Sequence, residues 1–422
     1  MNSELSRRNF LALTGAGLVS AAAGATPQPY PPQSGKKVYA YVGSWTRNGL
    51  FGGGGGGGIH IFSVNTNDGS LTPVGQAGPD QDNVNCGELC FSPDKRFLYA
   101  VNEIGNLNGK LGAGGGVLSF AIDQQNGSLT YLNTQLSMGE HPCWVITDES
   151  GSRVFVTNHG NFAAIRVVKK NGVPEIENVF DDGTVALYAV KPDGSLESAC
   201  DVSVFERTHG GAPNQLASHA HSVNFDLSKR FLVACDAGAD RIYVFKWTPG
   251  SRTLGEPKFF PTKPATGPRY SRFHPRLPLF FVTNESDSSL SSFHFDSNTG
   301  DVQLIQTVRS IPADFSTRNA PADVRIHPNG KFVYSSNRGH DSIAIFKIEE
   351  ATGNIALVDM VKTQGTAPPG FEFEPSGKFL YVANGGSDTL VTFAVDPNSG
   401  KMTPTGGKVD ILKPQCVHFL TL

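Results

Sequence analysis

At 422 residues the chain has room for two or three ordinary domains, yet its formal net charge is only −3 and charged residues make up just 17% of it. The near balance of 35 basic against 38 acidic side chains argues against nucleic acid or an anionic membrane surface as a partner. Forty-eight glycines, 27 prolines and 28 phenylalanines beside four methionines suit many short strands joined by tight turns better than helices.

The first 25 residues read as a separate object. Ser6-Arg7-Arg8-Asn9-Phe10-Leu11 leads into a weakly apolar run of small residues ending Ala21-Ala22-Ala23-Gly24-Ala25. Paired arginines, a modest apolar segment and an Ala-x-Ala-like cleavage site resemble a twin-arginine signal peptide. This implies passage through the twin-arginine export machinery to the periplasm or the extracellular side. The run is too short and too rich in Gly and Ala to span a bilayer, and no other stretch of the mature chain qualifies. Residues 26–37 read as a flexible linker, which leaves 38–422 as one folded domain.

From there an internal repeat takes over. It appears from Leu89 as LCFSPDKRFLYAVNE and from Val145 as VITDESGSRVFVTNH. It recurs from Val223, Ser271, Val324 and Phe371, where it ends as FEFEPSGKFLYVANG. Each unit holds two short β-rich runs around a Pro/Asp/Gly/Ser turn, and a third and fourth run usually follow. Aligned on Phe91, Thr147, Phe225, Phe273, Ile326 and Phe373, all six units close their second run eleven residues later, at Asn102, Asn158, Asp236, Asn284, Asn337 and Asn384. Four antiparallel strands of this length make one propeller blade.

The two ends complete the count. Lys37–Gly43 matches a second strand that lacks its first, and Pro414–Leu420 a first strand that lacks its second. The predicted fold is therefore an all-β, seven-bladed β-propeller with four antiparallel strands per blade, closed by N- and C-terminal strands that share one blade. Closure of this kind hides strand edges that would otherwise seek partners.

The start of each first strand and the end of each second strand fall on one face of the disc. Four residues before the alignment point stand Gly87, Cys143, His221, Arg269, Ala322, Pro369 and Gln415. Just after the closing Asn or Asp stand Glu103, His159, Ala237, Glu285, Arg338 and Gly385. His221, Arg269, Glu285 and Arg338 come from three consecutive blades and are expected to converge at the channel mouth. His219, His159, Glu103 and Tyr270 are second candidates, for substrate binding. The excursions Asn106–Gly116, Asn161–Gly183 and Phe205–Ala220 are expected to wall the same face, while the glycine run Gly52–Gly58 reads as merely tolerated length. His274 and His327, which replace turn residues, are expected to face solvent. Export would allow some of the six cysteines to oxidise, though a large core does not need such staples; Cys86-x-x-x-Cys90, with no matching second half, reads as buried, unpaired thiols rather than a metal site.

The strings Ser218-His219-Ala220-His221-Ser222-Val223, Gly267-Pro268-Arg269, Thr283-Asn284-Glu285 and Ser336-Asn337-Arg338-Gly339-His340-Asp341 resemble the seven-bladed lactonase family. That family includes the propeller type of 6-phosphogluconolactonase and carboxymuconate cyclase relatives, and the likeness runs over essentially the whole mature chain. The resemblance implies a His, Arg, Glu and Arg site, here His221, Arg269, Glu285 and Arg338. It implies a small-molecule lactone as the partner, for which a monomer suffices. Tyr270 stands where the family often has His, and Pro213-Asn214-Gln215-Leu216 keeps little of the family's Arg-Gln pair; both departures argue against a phosphorylated substrate.

Opening a cyclic ester needs an activated water and a stabilised oxyanion. His221 or Glu285 fits the general base, and Arg269 and Arg338 fit the charge-stabilising role. The chain has no Gly-x-Ser-x-Gly elbow for a covalent serine, no haem-attachment string and no metal-ligand spacing among its histidines, so no cofactor or metal is expected. The competing reading is a non-catalytic binding propeller of the cell envelope, suggested by YVTN-like strings such as Tyr381-Val382-Ala383-Asn384. Such a scaffold does not call for the His, Arg, Glu and Arg set.

Overall fold

A computed structural model describes residues 36–45, 57–78, 84–110, 112–160, 164–205, 209–213 and 215–422. The expected signal peptide, most of the linker and Gly52–Gly56 lie outside these residues. Seven four-stranded antiparallel sheets follow the predicted repeat, and no described helix exceeds a three-residue 3-10 turn at Leu107–Gly109. In the closing blade the C-terminal strand Pro414–Thr421 lies innermost, paired with Val38–Ser44; Ile59–Val64 and Leu71–Ala77 complete it. The seven innermost strands touch in cyclic order, from Cys86–Phe91 round to Pro414–Thr421 and back.

Burial peaks in the second strands and falls toward both the axis and the rim. The second strands Phe231–Asp236, Leu279–Asn284 and Phe379–Asn384 are buried along their whole length. Outermost strands such as Asp301–Arg309 alternate exposed with half-buried residues. This is what a stack of sheets imposes: inner strands are covered on both faces, while outer ones have a wet face and read as alternating.

One side chain in four of the second strands fastens its blade to the next. The hydroxyls of Tyr41, Tyr99, Tyr334 and Tyr381 donate to the carbonyls of Gly127, Gly194, Gly400 and Gly69, at 2.7, 3.2, 2.5 and 2.9 Å. Each acceptor sits in the tight turn between the third and fourth strands of the neighbouring blade. Gly69 has φ +76°, a left-handed conformation, and a Cβ there would lie 2.7 Å from the Phe379 ring, so only glycine fits the position. Phe155, Val233 and Phe281 occupy the equivalent place in the other three blades.

The recurring Asn or Asp also has a physical role. Asp236 accepts from the Ser218 hydroxyl and from the backbone N–H groups of His219, Gly238 and Ala239. Asn158 donates to the Ser137 carbonyl, and Asn384 to that of Thr363. These side chains pin the loop entering each blade onto the end of its second strand, as buried backbone polar groups require.

Two expectations need correction. His274 and His327 are not solvent-facing: they are 0% and 3% exposed. His274 Nε2 meets the Gly330 carbonyl at 2.8 Å while its Nδ1 accepts from the N–H groups of Arg276 and Leu277. His327 makes the same arrangement with Gly377 and Asn329. They close the hairpin turn as Asp226 does in its own blade, and the longer ring also reaches the next blade. The excursion after Asn158 is not merely a loop: Ala164–Lys170 and Val173–Val179 form a two-stranded hairpin outside the blades.

Candidate functional site

The innermost strands carry a shared irregularity where they reach the candidate face. In Pro268–Phe273 the pairing steps from Pro268↔Asn284 to Ser271↔Val282, so Arg269 and Tyr270 stand opposite the single residue Thr283. Similar bulges fall at Gly87 and Glu88, at Cys143, at His221, and at Ala322 and Asp323. A bulge breaks the alternation of a strand and re-aims its side chains. It is the reason that Arg269 and Tyr270, adjacent in sequence, both face the same interior.

Glu285 follows the strand Leu279–Asn284 and Arg338 ends the strand Phe332–Arg338 in the next blade. Arg338 Nη2 donates to Glu285 Oε1 at 2.6 Å and its Nε to the Ala320 carbonyl at 3.2 Å. On the other side, Arg269 Nε lies 3.2 Å from Glu285 Oε2, an ion contact off the hydrogen-bonding direction. Arg269 Nη1 donates to the Ala322 carbonyl at 2.9 Å, and the guanidinium lies 4.2 Å from the Tyr270 ring centroid. Burial alone would raise the Glu285 pKa, but Arg338 and Arg269 override it and hold the carboxyl below its ordinary value. One carboxylate is thus clamped between two cations.

A group of imidazoles stands beside this clamp. His221 is 6% exposed, and its Nδ1 has no hydrogen-bond partner among the described residues. Its ring packs edge-on against Tyr270 and against His159, with centroids 5.3 and 5.2 Å away. His159 stacks on His219 at 4.2 Å, and His219 Nδ1 meets the His159 carbonyl at 2.9 Å. Burial, with Arg269 and His159 adding to it, pushes the His221 pKa well below the usual imidazole range. His221 is therefore neutral near pH 7 and able to accept a proton.

Glu103 follows the strand Phe97–Asn102 in another blade. A Cβ at Gly87 would lie 2.2 Å from Glu103 Oε2, so the glycine makes room for the carboxyl. Burial pushes Glu103 up to about 8, against the pull of Arg269, the neighbouring Trp45 indole and the charge of Arg338. The site thus contains two carboxyl groups held in opposite states, one ionised and one carrying a proton, which is the arrangement acid–base chemistry uses. Tyr270 is buried and donates to the Cys143 carbonyl at 3.4 Å; it forms a floor under Arg269 and His221.

Below this layer lies a second group of charges that the rim positions did not reveal. Arg325 pairs with Asp323 at 3.0 Å and with Glu372 at 2.7 Å, and Glu88 pairs with His418. Arg272 stacks over Trp144 at 4.3 Å and donates to Asn224 at 3.3 Å. The position one before each alignment point could have shown it, since it runs Cys90, Ile146, Asn224, Arg272, Arg325, Glu372 and His418 around the ring.

Seven blades around an axis, with a buried imidazole and guanidinium beside a half-buried carboxylate and second guanidinium drawn from three consecutive blades, define a β-propeller with an axial candidate site. The chain belongs to the family described as Lactonase, 7-bladed beta-propeller, which matches residues 39–419. It is 30% identical to a 6-phosphogluconolactonase of Bacillus subtilis, over 91% of this chain and 99% of that protein. A 6-phosphogluconolactonase of Formosa agariphila is 29% identical over 74% of this chain and 80% of its own length. The solved periplasmic gluconolactonase of Pseudomonas aeruginosa superposes with a TM-score of 0.77 at 28% identity, covering 91% of this chain and 99% of that one. Membership implies a small-molecule substrate, and no described helix is long and apolar enough to cross a membrane.

Proposed function

We propose that the protein is an exported lactonase that opens a sugar lactone at the channel mouth, with His221 as general base. The observation that carries this reading is the buried, unpartnered Nδ1 of His221 beside the Arg269–Glu285–Arg338 clamp. His221 takes a proton from water as the oxygen attacks the lactone carbonyl. Arg338 and Arg269 receive the developing oxyanion, with Glu285 fixing both guanidiniums in place. The ring C–O bond then breaks, and Glu103 gives its proton to the departing alkoxide. Water is added across the ester, and the proton left on His221 returns to Glu103. Glu285 is assigned to positioning, because its two carboxylate oxygens are already engaged by Arg338 and Arg269.

Export rests on Ser6–Leu11 and Ala23–Ala25, and the periplasmic location of the Pseudomonas neighbour fits it. On this reading residues 1–25 are the signal peptide, 26–37 the linker and 38–422 the propeller, which works as a monomer. Replacing Arg7 and Arg8 by Lys should leave the protein in the cytoplasm.

The deciding assay sets the mature protein beside His221→Ala and Arg338→Ala, on sugar lactones with and without a 6-phosphate. Loss of the histidine base is expected to lower kcat by about 10²–10⁴-fold. Activity unchanged in both variants would remove the site. Tyr270, in place of the family's His, favours the unphosphorylated lactone.

A further inference from the structure

Cys86 and Glu88 stand two residues apart on the innermost strand Cys86–Phe91, and Cys416 and His418 stand two apart on Pro414–Thr421. These strands are neighbours around the axis, and together they bring the end of the chain against the first complete blade. Ligand atoms of Glu88, Cys416 and His418 all lie within 4.8 Å of one another. Glu88 and Cys416 are 3% and 2% exposed, and the His418 side chain keeps 15%. The fourth donor is close by. Gly43, paired with Cys416, has the Sγ atoms of both Cys86 and Cys416 2.7 Å from where a Cβ would stand. The two sulfurs therefore converge over the one residue that leaves them space.

We propose that Glu88, Cys416 and His418, with Cys86 as fourth donor, bind one divalent cation of the zinc type. Two thiols, an imidazole and a carboxylate are the donor set such an ion takes in a four-coordinate site, at about 2.0–2.3 Å per bond. Thiolate ligands select against magnesium and calcium. To take up the ion, His418 Nε2 and Glu88 Oε1 separate while the Cys416 sulfur closes on them; Cys86, outside the 4.8 Å group, has the farthest to move. His418 Nε2 and Glu88 Oε1 now share a proton, and the cation would stand in its place. Arg325 and Arg272 lie near Glu88, but Asp323 and Glu372 offset them. The role is a clasp, tying the C-terminal strand to the next blade at the inner end of the closure. This departs from the sequence reading, which found no ligand spacing because the donors come from opposite ends of the chain.

The test uses the full folded chain, reduced, stripped with a chelator and titrated with cobalt(II). One equivalent should bind and give a thiolate-to-cobalt charge-transfer band, and zinc should displace it. Cys416→Ser and His418→Gln should each weaken binding about 100-fold or more, given that loss of even an outer-sphere partner costs 10–100-fold. Cys86→Ser should lower the band's intensity, and Cys200→Ser should leave it unchanged. If Cys416→Ser does not fold, His418→Gln gives the same reading. Failure of the reduced wild type to retain cobalt, or equal binding by the Cys416 and His418 variants, would overturn the proposal. An undiminished band in Cys86→Ser would overturn the place of that thiol.

Discussion

Arg338 and Glu285, 53 positions apart in sequence and on neighbouring blades, meet through a 2.6 Å charge-assisted hydrogen bond. Glu285→Gln removes the charge that holds Arg269 and Arg338 side by side. The two cations would then repel, and an oxyanion would meet a disordered pair. A fall in kcat of about 10²-fold is expected, near the loss of one oxyanion donor, with a smaller change in KM. Steady-state kinetics on the preferred lactone check it. Arg338→Lys should not restore activity, since an ammonium cannot keep both the Glu285 and Ala320 contacts.

The pH profile follows from the two shifted groups. His221 works as a base only when neutral, so activity is lost as pH falls through its lowered pKa, well below the usual imidazole range. Glu103 works as an acid only when protonated, so activity is lost as pH rises through about 8. The rate should therefore hold across neutral pH and fall on an alkaline limb near 8. Glu103→Gln should flatten that limb and lower kcat. An alkaline limb unchanged in the variant would show that Glu103 is not the acid.

The tyrosine fastenings are open to direct measurement. Tyr381→Phe deletes the donor to the Gly69 carbonyl at the seam between the last blade and the closing one. Leaving that buried acceptor unpaired should cost about 1–3 kcal/mol in chemical denaturation, while lactone hydrolysis stays as it was.

Gly43→Ala places a methyl group 2.7 Å from two sulfurs and from the Cys86 carbonyl oxygen. A backbone oxygen cannot swing aside as a side chain does. Overpacking of this kind should cost about 1–3 kcal/mol, read from the denaturation midpoint.

The eleven-residue spacing was sufficient to read the blades, because strand length and turn chemistry are local. It placed Arg269, Glu285 and Arg338 together because equivalent positions in a ring share a height. What it could not supply was the bulge: simple alternation sends Arg269 and Tyr270 to opposite faces, and only the slip in pairing lets both look inward. The buried state of His274 and His327 was missed because a turn position was equated with exposure, although an imidazole can satisfy both sides of a turn and reach a neighbour. The deeper charges were missed because one ring of positions was read and the next was not. The expectation of export rests on a motif alone, whose residues lie outside those the structure describes.

Phe155, Val233 and Phe281 replace tyrosine at three successive seams, two of which the candidate site straddles. At those seams the axis is stitched by polar contacts, Ser222 and Asn224 donating to the Arg269 and Ser271 carbonyls and Arg269 to that of Ala322. Farther out, other directional bonds take the place of the tyrosine fastening: Arg230 donates to the Ser297 carbonyl, Lys258 to that of Thr299, and the Ile355 N–H to the Gln306 side chain. These seams are thus latched at the axis and again at the periphery, which keeps the wedges that carry the site in step with one another.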